Sequence, residues 1–178
     1  MTGWQIRNNT ISGCSRLFDG LPAFGARARL EWSGGIKMWG WGGVGWVGSC
    51  VVQGNTVTDC TPSFSAGAEP HKRGVGIWWD EVIAPTINQQ ITSNTVINCP
   101  GNGIFVEKAD DCEVSYNVVN NCGTYTFRGG IHVEANSAGY DAVNDIPATV
   151  PHNVERANVH HNTVYGGHWS LVANAVTT

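Results

Sequence analysis

Charged side chains make up only 13% of the 178 residues, roughly half the ~25% of an ordinary soluble domain. So little charge, beside 42% hydrophobic residues, excludes an intrinsically disordered chain, which needs the opposite balance. The excess of Ala, Glu, Lys and Leu that marks helical bundles and coiled coils is also missing. Methionine occurs twice, and 10 Lys and Arg stand against 14 Asp and Glu, a net charge of −4. That leaves no basic footprint for nucleic acid. No apolar run approaches the ~20 residues of a membrane span. The opening Met1-Thr2-Gly3-Trp4-Gln5 has neither the basic nor the apolar region of a signal peptide. What the chain has instead is 23 glycines, eight tryptophans and sixteen asparagines.

These residues recur in a pattern. The motif [Ile/Val]-x-x-Asn-x-[Val/Ile] occurs five times, opening at Ile6, Val52, Ile91, Val114 and Val159, with its asparagine at Asn9, Asn55, Asn94, Asn117 and Asn162. A second motif, Gly-Ile-x-x-[Trp/Asp/Glu], alternates with it at Gly35, Gly76, Gly103 and Gly130; the last three are 27 residues apart each time. Ser170-Leu171-Val172-Ala173-Asn174 reads as a weaker fifth copy. Within each unit, short β-branched stretches alternate with period two between Gly, Asn and Asp, as strands with tight turns do. No segment has a capped apolar 3.6-residue period, so helices are expected to be scarce.

Units of about 23–27 residues built from short strands predict an all-β parallel β-helix, a solenoid of about five coils spanning residues 1–178 as one domain. A β-propeller blade would need nearer ~40 residues. The repeated Asn is expected at a corner, where it tolerates the left-handed conformation, with its side chains hydrogen-bonded up the column. Cys14, Cys60, Cys99 and Cys122 each follow a repeat Asn by five residues, and Cys50 and Cys112 each precede an opening Val by two. Equivalent registers and the lack of Cys-x-x-Cys zinc spacing favour free thiols packed in core columns.

The Gly-Ile strand is where chemistry is expected. If Ile36, Ile77, Ile104 and Ile131 point inward, so do Met38, Trp79, Val106 and Val133, all apolar. The outward columns are then Lys37, Trp78, Phe105, His132 and, beside them, Trp39, Asp80, Glu107, Glu134. Three carboxylates thus stack on consecutive coils, which costs repulsion unless they have a function; solvated charges that protect a sheet edge are the plainer explanation. Adjacent coils supply about the ~5–5.5 Å carboxyl separation of a retaining glycosidase, through Asp80–Glu107 or Glu107–Glu134, while Asp80–Glu134 lies at or beyond the inverting range. Trp39, Trp78 and Phe105 are read as exposed, flat faces for sugar rings. His132 is a candidate support for the acid/base, and Lys37 a partner for Asp80 or for a uronate. These eight residues form the predicted site for an oligo- or polysaccharide, with no cofactor required.

The Asn-x-[Val/Ile] and Gly-Ile units resemble the right-handed parallel β-helix repeats of pectate-lyase-like proteins over nearly the whole chain. More narrowly, Gly76-Ile77-Trp78-Trp79-Asp80 followed by Ile104-Phe105-Val106-Glu107 resembles the catalytic segment of the β-helical β-xylosidases of glycoside hydrolase family 120. That resemblance implies Asp80 as nucleophile and Glu107 as acid/base; the chain departs from the family in its short length and in the third carboxylate, Glu134. Two other classes remain open. A polysaccharide lyase would use Ca²⁺ and a base drawn from Lys37, Arg128, His132 or Tyr125, and a carbohydrate-binding or adhesive β-helix would use no catalysis at all. An extracellular or periplasmic setting suits all three.

Insertions at 15–34, 40–49, 61–75 and 135–157 flank the Gly-Ile strand, where solenoid loops usually build a cleft. They carry the basic clusters Arg27-Arg29 and His71-Lys72-Arg73, and the segment 136–152 is expected to pack over the groove as an excursion. No cap is evident at either end, so self-association, or further flanking coils, is expected.

Overall fold

The computed structural model describes residues 4–14, 34–39, 50–60, 74–80, 89–107, 111–124, 129–134, 154–174 and 176–177. The insertions at 15–33, 40–49, 61–73 and 135–153 lie outside the described residues, as do Arg128 and Tyr125.

Each coil contributes three strands in order. The first holds β1 (Trp4–Arg7), β2 (Thr10–Ser12) and β3 (Gly34–Trp39), and the second β4 (Cys50–Gln53), β5 (Thr56–Thr58) and β6 (Val75–Asp80). The third holds β7 (Gln89–Thr92), β8 (Thr95–Ile97) and β9 (Ile104–Glu107), and the fourth β10 (Cys112–Ser115), β11 (Val118–Asn120) and β12 (Gly129–Glu134). In the fifth, β13 (Val154–Glu155) precedes β14 (Asn158–His160), β15 (Thr163–Tyr165) and β16 (Trp169–Asn174), and β17 (Val176–Thr177) closes it. Equivalent strands stack into three five-stranded parallel sheets, β1-β4-β7-β10-β14, β2-β5-β8-β11-β15 and β3-β6-β9-β12-β16. This is the predicted parallel β-helix. The sequence pattern did not show the small parallel pair β13-β17, in which Val154 meets Val176.

The core lies inside the coils. Val52, Ile91 and Val114 enter it from the first sheet, Val57, Val96 and Val119 from the second, and Ile77, Ile104 and Ile131 from the third. Burial declines toward the outer coils, where Ile6, Ile11, Val159 and Val164 are partly buried and Leu171 is 54% exposed.

Two left-handed corners shape each coil. The first is occupied by Asn8, Gly54, Ser93, Tyr116 and His161, the second by Gly13, Asp59, Asn98, Asn121 and Gly166. The repeat asparagine follows the first corner instead of occupying it, which corrects the expectation from sequence. Its side chain turns inward, where Asn94 Oδ1 accepts from the Asn55 backbone N–H at 2.9 Å and from Asn55 Nδ2 at 3.0 Å. The same pair of bonds links Asn94 to Asn117 and Asn117 to Asn162. The column therefore ties backbone to side chain from coil to coil, while the adjoining residue absorbs the bend. A second, outer ladder runs along the other corner, with Asn121 donating to Asn98 at 2.9 Å and Asn98 to Asp59 at 3.0 Å.

All six cysteines are free thiols. Cys60, Cys99 and Cys122 are buried in one column, and the Cys99 backbone N–H donates to Cys122 Sγ at 3.4 Å. Its hydrogen bond to Cys99, then burial, pushes the Cys60 thiol up, and burial pushes the Cys112 thiol up to about 12. Such thiols behave as small core groups rather than nucleophiles.

The repeated glycine answers a close approach. A Cβ at Gly103 would meet Val119 Cγ1 at 2.4 Å and the Gly130 carbonyl oxygen at 2.6 Å, and one at Gly76 would meet Val96 Cγ1 at 2.3 Å. The glycine column thus lets the third sheet close against the valine column of the second. Gly103→Ala is expected to cost about 2–3 kcal/mol, the upper part of the range for overpacking, as a lowered urea midpoint. Adding Val119→Ala should recover part of that loss, and an unchanged midpoint in the single variant would refute the close-approach reading.

Candidate functional site

The third sheet carries the predicted columns in register. Lys37 pairs with Trp78, Trp78 with Phe105 and Phe105 with His132; beside them Trp39 pairs with Asp80, Asp80 with Glu107 and Glu107 with Glu134. On β16, Val172 and Asn174 extend the two columns. Three neighbouring strands of one sheet thus place three carboxylates on three consecutive coils. Trp39 joins this row by its backbone register.

Burial on this face differs from expectation. Trp78 is 1% exposed, and Phe105 and His132 are 0% exposed. Trp78 and Phe105 form an apolar cluster with Val75, separate from the interior. Their ring centroids are 5.5 Å apart, and those of Phe105 and His132 are 5.0 Å apart. The aromatic rings therefore follow one another along the sheet, tilted by 31° and 35°, and are shielded from water. They are not the open sugar-stacking platform expected from sequence. The physical reason is area: a column of large rings left in water would forgo ~1.5–3 kcal/mol per side chain. Asp80 and Glu107 are buried as well, at 7% and 3% exposed, while the Glu134 side chain remains 30% exposed.

Each end of the acidic column has a cationic or ionisable partner. Lys37 Nζ lies 2.8 Å from Asp80 Oδ2 and 3.7 Å from the centroid of the Trp78 ring. The ammonium thus offsets the Asp80 charge while resting on an aromatic face. At the other end His132 Nε2 lies 3.4 Å from Glu134 Oε2. The repulsion among stacked carboxylates is answered by these neighbours, so it does not by itself demand a function.

Asn102 belongs to this site although it falls in neither repeat motif. It is completely buried. Its Oδ1 accepts from the Gly129 backbone N–H at 3.1 Å and lies 3.3 Å from His132 Nδ1. Because the Gly129 N–H fixes which amide atom faces the ring, His132 Nδ1 must carry a proton. Nε2 then either accepts a proton from Glu134 or holds one against its carboxylate. Asn102 thus orients the His132 ring, whose Nε2 faces the Glu134 carboxylate at 3.4 Å. The Trp78 indole N–H and Asn102 Nδ2 are buried donors without an acceptor, an arrangement that costs stability unless something binds there.

Elsewhere, a shallow cavity of about 300 Å³ on the first sheet is lined by Gln90, Asp111, Glu113, Arg156 and Asn158 among others. The Arg156 guanidinium contacts both carboxylate oxygens of Asp111 there and holds that carboxyl below its usual range. Among the described residues no three His, Cys, Asp or Glu side chains converge to hold a metal ion.

No curated protein and no solved structure matches the chain. Residues 2–146 do match the family model for the right-handed beta helix region. With the three parallel sheets and their ladders in place, the chain belongs to that right-handed β-helix family.

Proposed function

We propose that the protein is a carbohydrate-active β-helix that hydrolyses glycosidic bonds with retention of configuration at the outer face of the third sheet. The observation that carries this reading is the register of Asp80, Glu107 and Glu134 on three consecutive coils. Neighbouring strands are ~4.8 Å apart, close to the ~5–5.5 Å between the two carboxyl groups of retaining enzymes. The resemblance of the Asp80 and Glu107 segments to the family 120 β-xylosidases supplies the roles. Asp80, its charge offset by Lys37, attacks the anomeric carbon. The bond to the leaving oxygen breaks as Glu107 gives that oxygen its proton. Glu107 then takes a proton from water, which attacks the same carbon and releases Asp80. Glu134 and His132 exchange protons with solvent for the buried Glu107. Trp78 and Phe105 are buried, so recognition here does not use their ring faces.

The test uses a panel of 4-nitrophenyl glycosides that includes the β-xyloside. Retention predicts that the first product seen by proton NMR has the anomeric configuration of the substrate. A 2-deoxy-2-fluoro glycoside is expected to label Asp80. Label on another residue, or an inverted first product, would overturn the assignment. Saturable oligosaccharide binding without turnover would identify a binding module, and Ca²⁺-dependent unsaturated product a lyase.

A further inference from the structure

The first sheet carries a polar column of its own on its outer side. Gln90, Glu113 and Asn158 stand side by side on β7, β10 and β14, in three consecutive coils. They alternate with Ile91, Val114 and Val159, which pack into the core, and so point away from it. All three line the cavity of about 300 Å³ described above, a size at the lower end of the ~300–1,000 Å³ of small-molecule sites.

Hydrogen-bonding capacity is left over at this column. Among the described residues the Gln90 and Asn158 amides have no hydrogen-bond partner. Glu113 Oε1 accepts from Ser115 Oγ at 2.7 Å and lies 3.4 Å from His160 Nε2, which steadies the carboxylate and leaves its second oxygen for a ligand. Asp111 and Arg156 bound the same cavity, and the guanidinium contacts both Asp111 oxygens. Side chains already fixed by their neighbours lose little freedom when a ligand arrives.

The spacing selects what bridges the column. Neighbouring strands are ~4.8 Å apart, too far for parallel amide and carboxylate side chains to bond directly. A hydroxyl both accepts and donates. With a hydrogen bond of ~2.8 Å on either side of a tetrahedral oxygen, it spans roughly 4.6 Å. One hydroxyl can therefore accept from the Gln90 amide and donate to Glu113, and a second can do the same between Asn158 and Glu113. No aromatic side chain lines the cavity among the described residues, so a ring would be held by its hydroxyl edge. Two carboxylates against one guanidinium disfavour a uronate or a phosphate.

We propose that this cavity is a second, non-catalytic glycan site, which takes a neutral sugar residue by two hydroxyls across Gln90, Glu113 and Asn158. The choice of a glycan rests on the carbohydrate-active reading above. The site itself lies on a different sheet from Asp80 and Glu107 and does not depend on their chemistry.

Xylohexaose and cellohexaose titrated into the isotope-labelled whole chain test this by nitrogen–proton NMR. The side-chain amide signals of Gln90 and Asn158 should shift saturably with at least one of the two. Glu113→Gln should weaken the affinity read from those shifts about 10–100-fold, the worth of a hydrogen bond to a charged group. Gln90→Val installs the residue that the second coil has at this position, Val51. It should weaken the Asn158 shift while leaving the circular dichroism spectrum unchanged. No shift of either amide with either hexaose, or full affinity in both folded variants, would overturn the site. Hydrolysis of the 4-nitrophenyl glycosides without these shifts would remove this site and leave the proposed function standing. Saturable shifts without hydrolysis would keep the site and remove the hydrolase.

Discussion

Glu107→Gln is expected to lower turnover of alkyl and oligosaccharide substrates by about 10²–10⁴-fold, the usual contribution of a positioned general acid. Substrates with an acidic phenol as leaving group need little protonation, so their turnover should fall far less. Asp80→Asn should behave differently. Without a nucleophile neither substrate class forms the covalent intermediate, and both activities should drop together. Azide, a small anion that needs no general base, should accelerate Glu107→Ala on the activated substrates and leave Asp80→Asn unchanged. Both variants need a check of the urea midpoint, because Asp80→Asn removes the carboxylate charge whose Oδ2 lies 2.8 Å from the Lys37 ammonium. Near-normal rates in both folded variants would remove the proposed pair from the chemistry.

The columns on which this expectation rests were legible in the sequence because a solenoid converts periodicity into contact. A residue at a given place in one copy must stack on its counterpart in the next, so Asp80, Glu107 and Glu134 were aligned as soon as the Gly-Ile motif was. The valine, isoleucine and cysteine columns followed for the same reason, since the inner side of a coil has only one possible environment. Outer positions are different. Trp78, Phe105 and His132 share a register with Lys37, yet register says nothing of whether that face is covered, and all three rings are buried. Asn102 escaped notice because it belongs to neither motif. Its importance comes from the Gly129 N–H and His132 Nδ1 meeting at one oxygen, a coincidence of one loop and the strand β12. The available signal was weak: an asparagine immediately before the Gly103 of a Gly-Ile motif. The corner was misplaced by one residue because Asn suits both a left-handed φ and an inward ladder, and the ladder took precedence.

That precedence has a measurable consequence at the middle of the stack. Asn94→Ala is expected to destabilise the protein by about 4 kcal/mol or more, close to the limit of what single substitutions usually cost. Asn94 Oδ1 accepts from the backbone N–H and side chain of Asn55, and its Nδ2 donates to the carbonyl oxygens of Val52 and Thr92 at 3.0 and 3.1 Å. Asn94 and Asn55 are each 1% exposed, so the groups left behind have little access to water. Each unsatisfied buried group costs ~1–3 kcal/mol, which exceeds the small gain in backbone preference from alanine. Asn94→Asp separates this explanation from a loss of packing volume. The aspartate has the same shape and can still accept from Asn55, but it presents a second acceptor to the Val52 and Thr92 carbonyls and should be nearly as harmful. Asn9→Ala, in an outer coil where Asn9 itself is exposed, should cost much less. A midpoint for Asn94→Ala as high as that for Asn9→Ala would mean that the ladder follows from the coil geometry without holding it together.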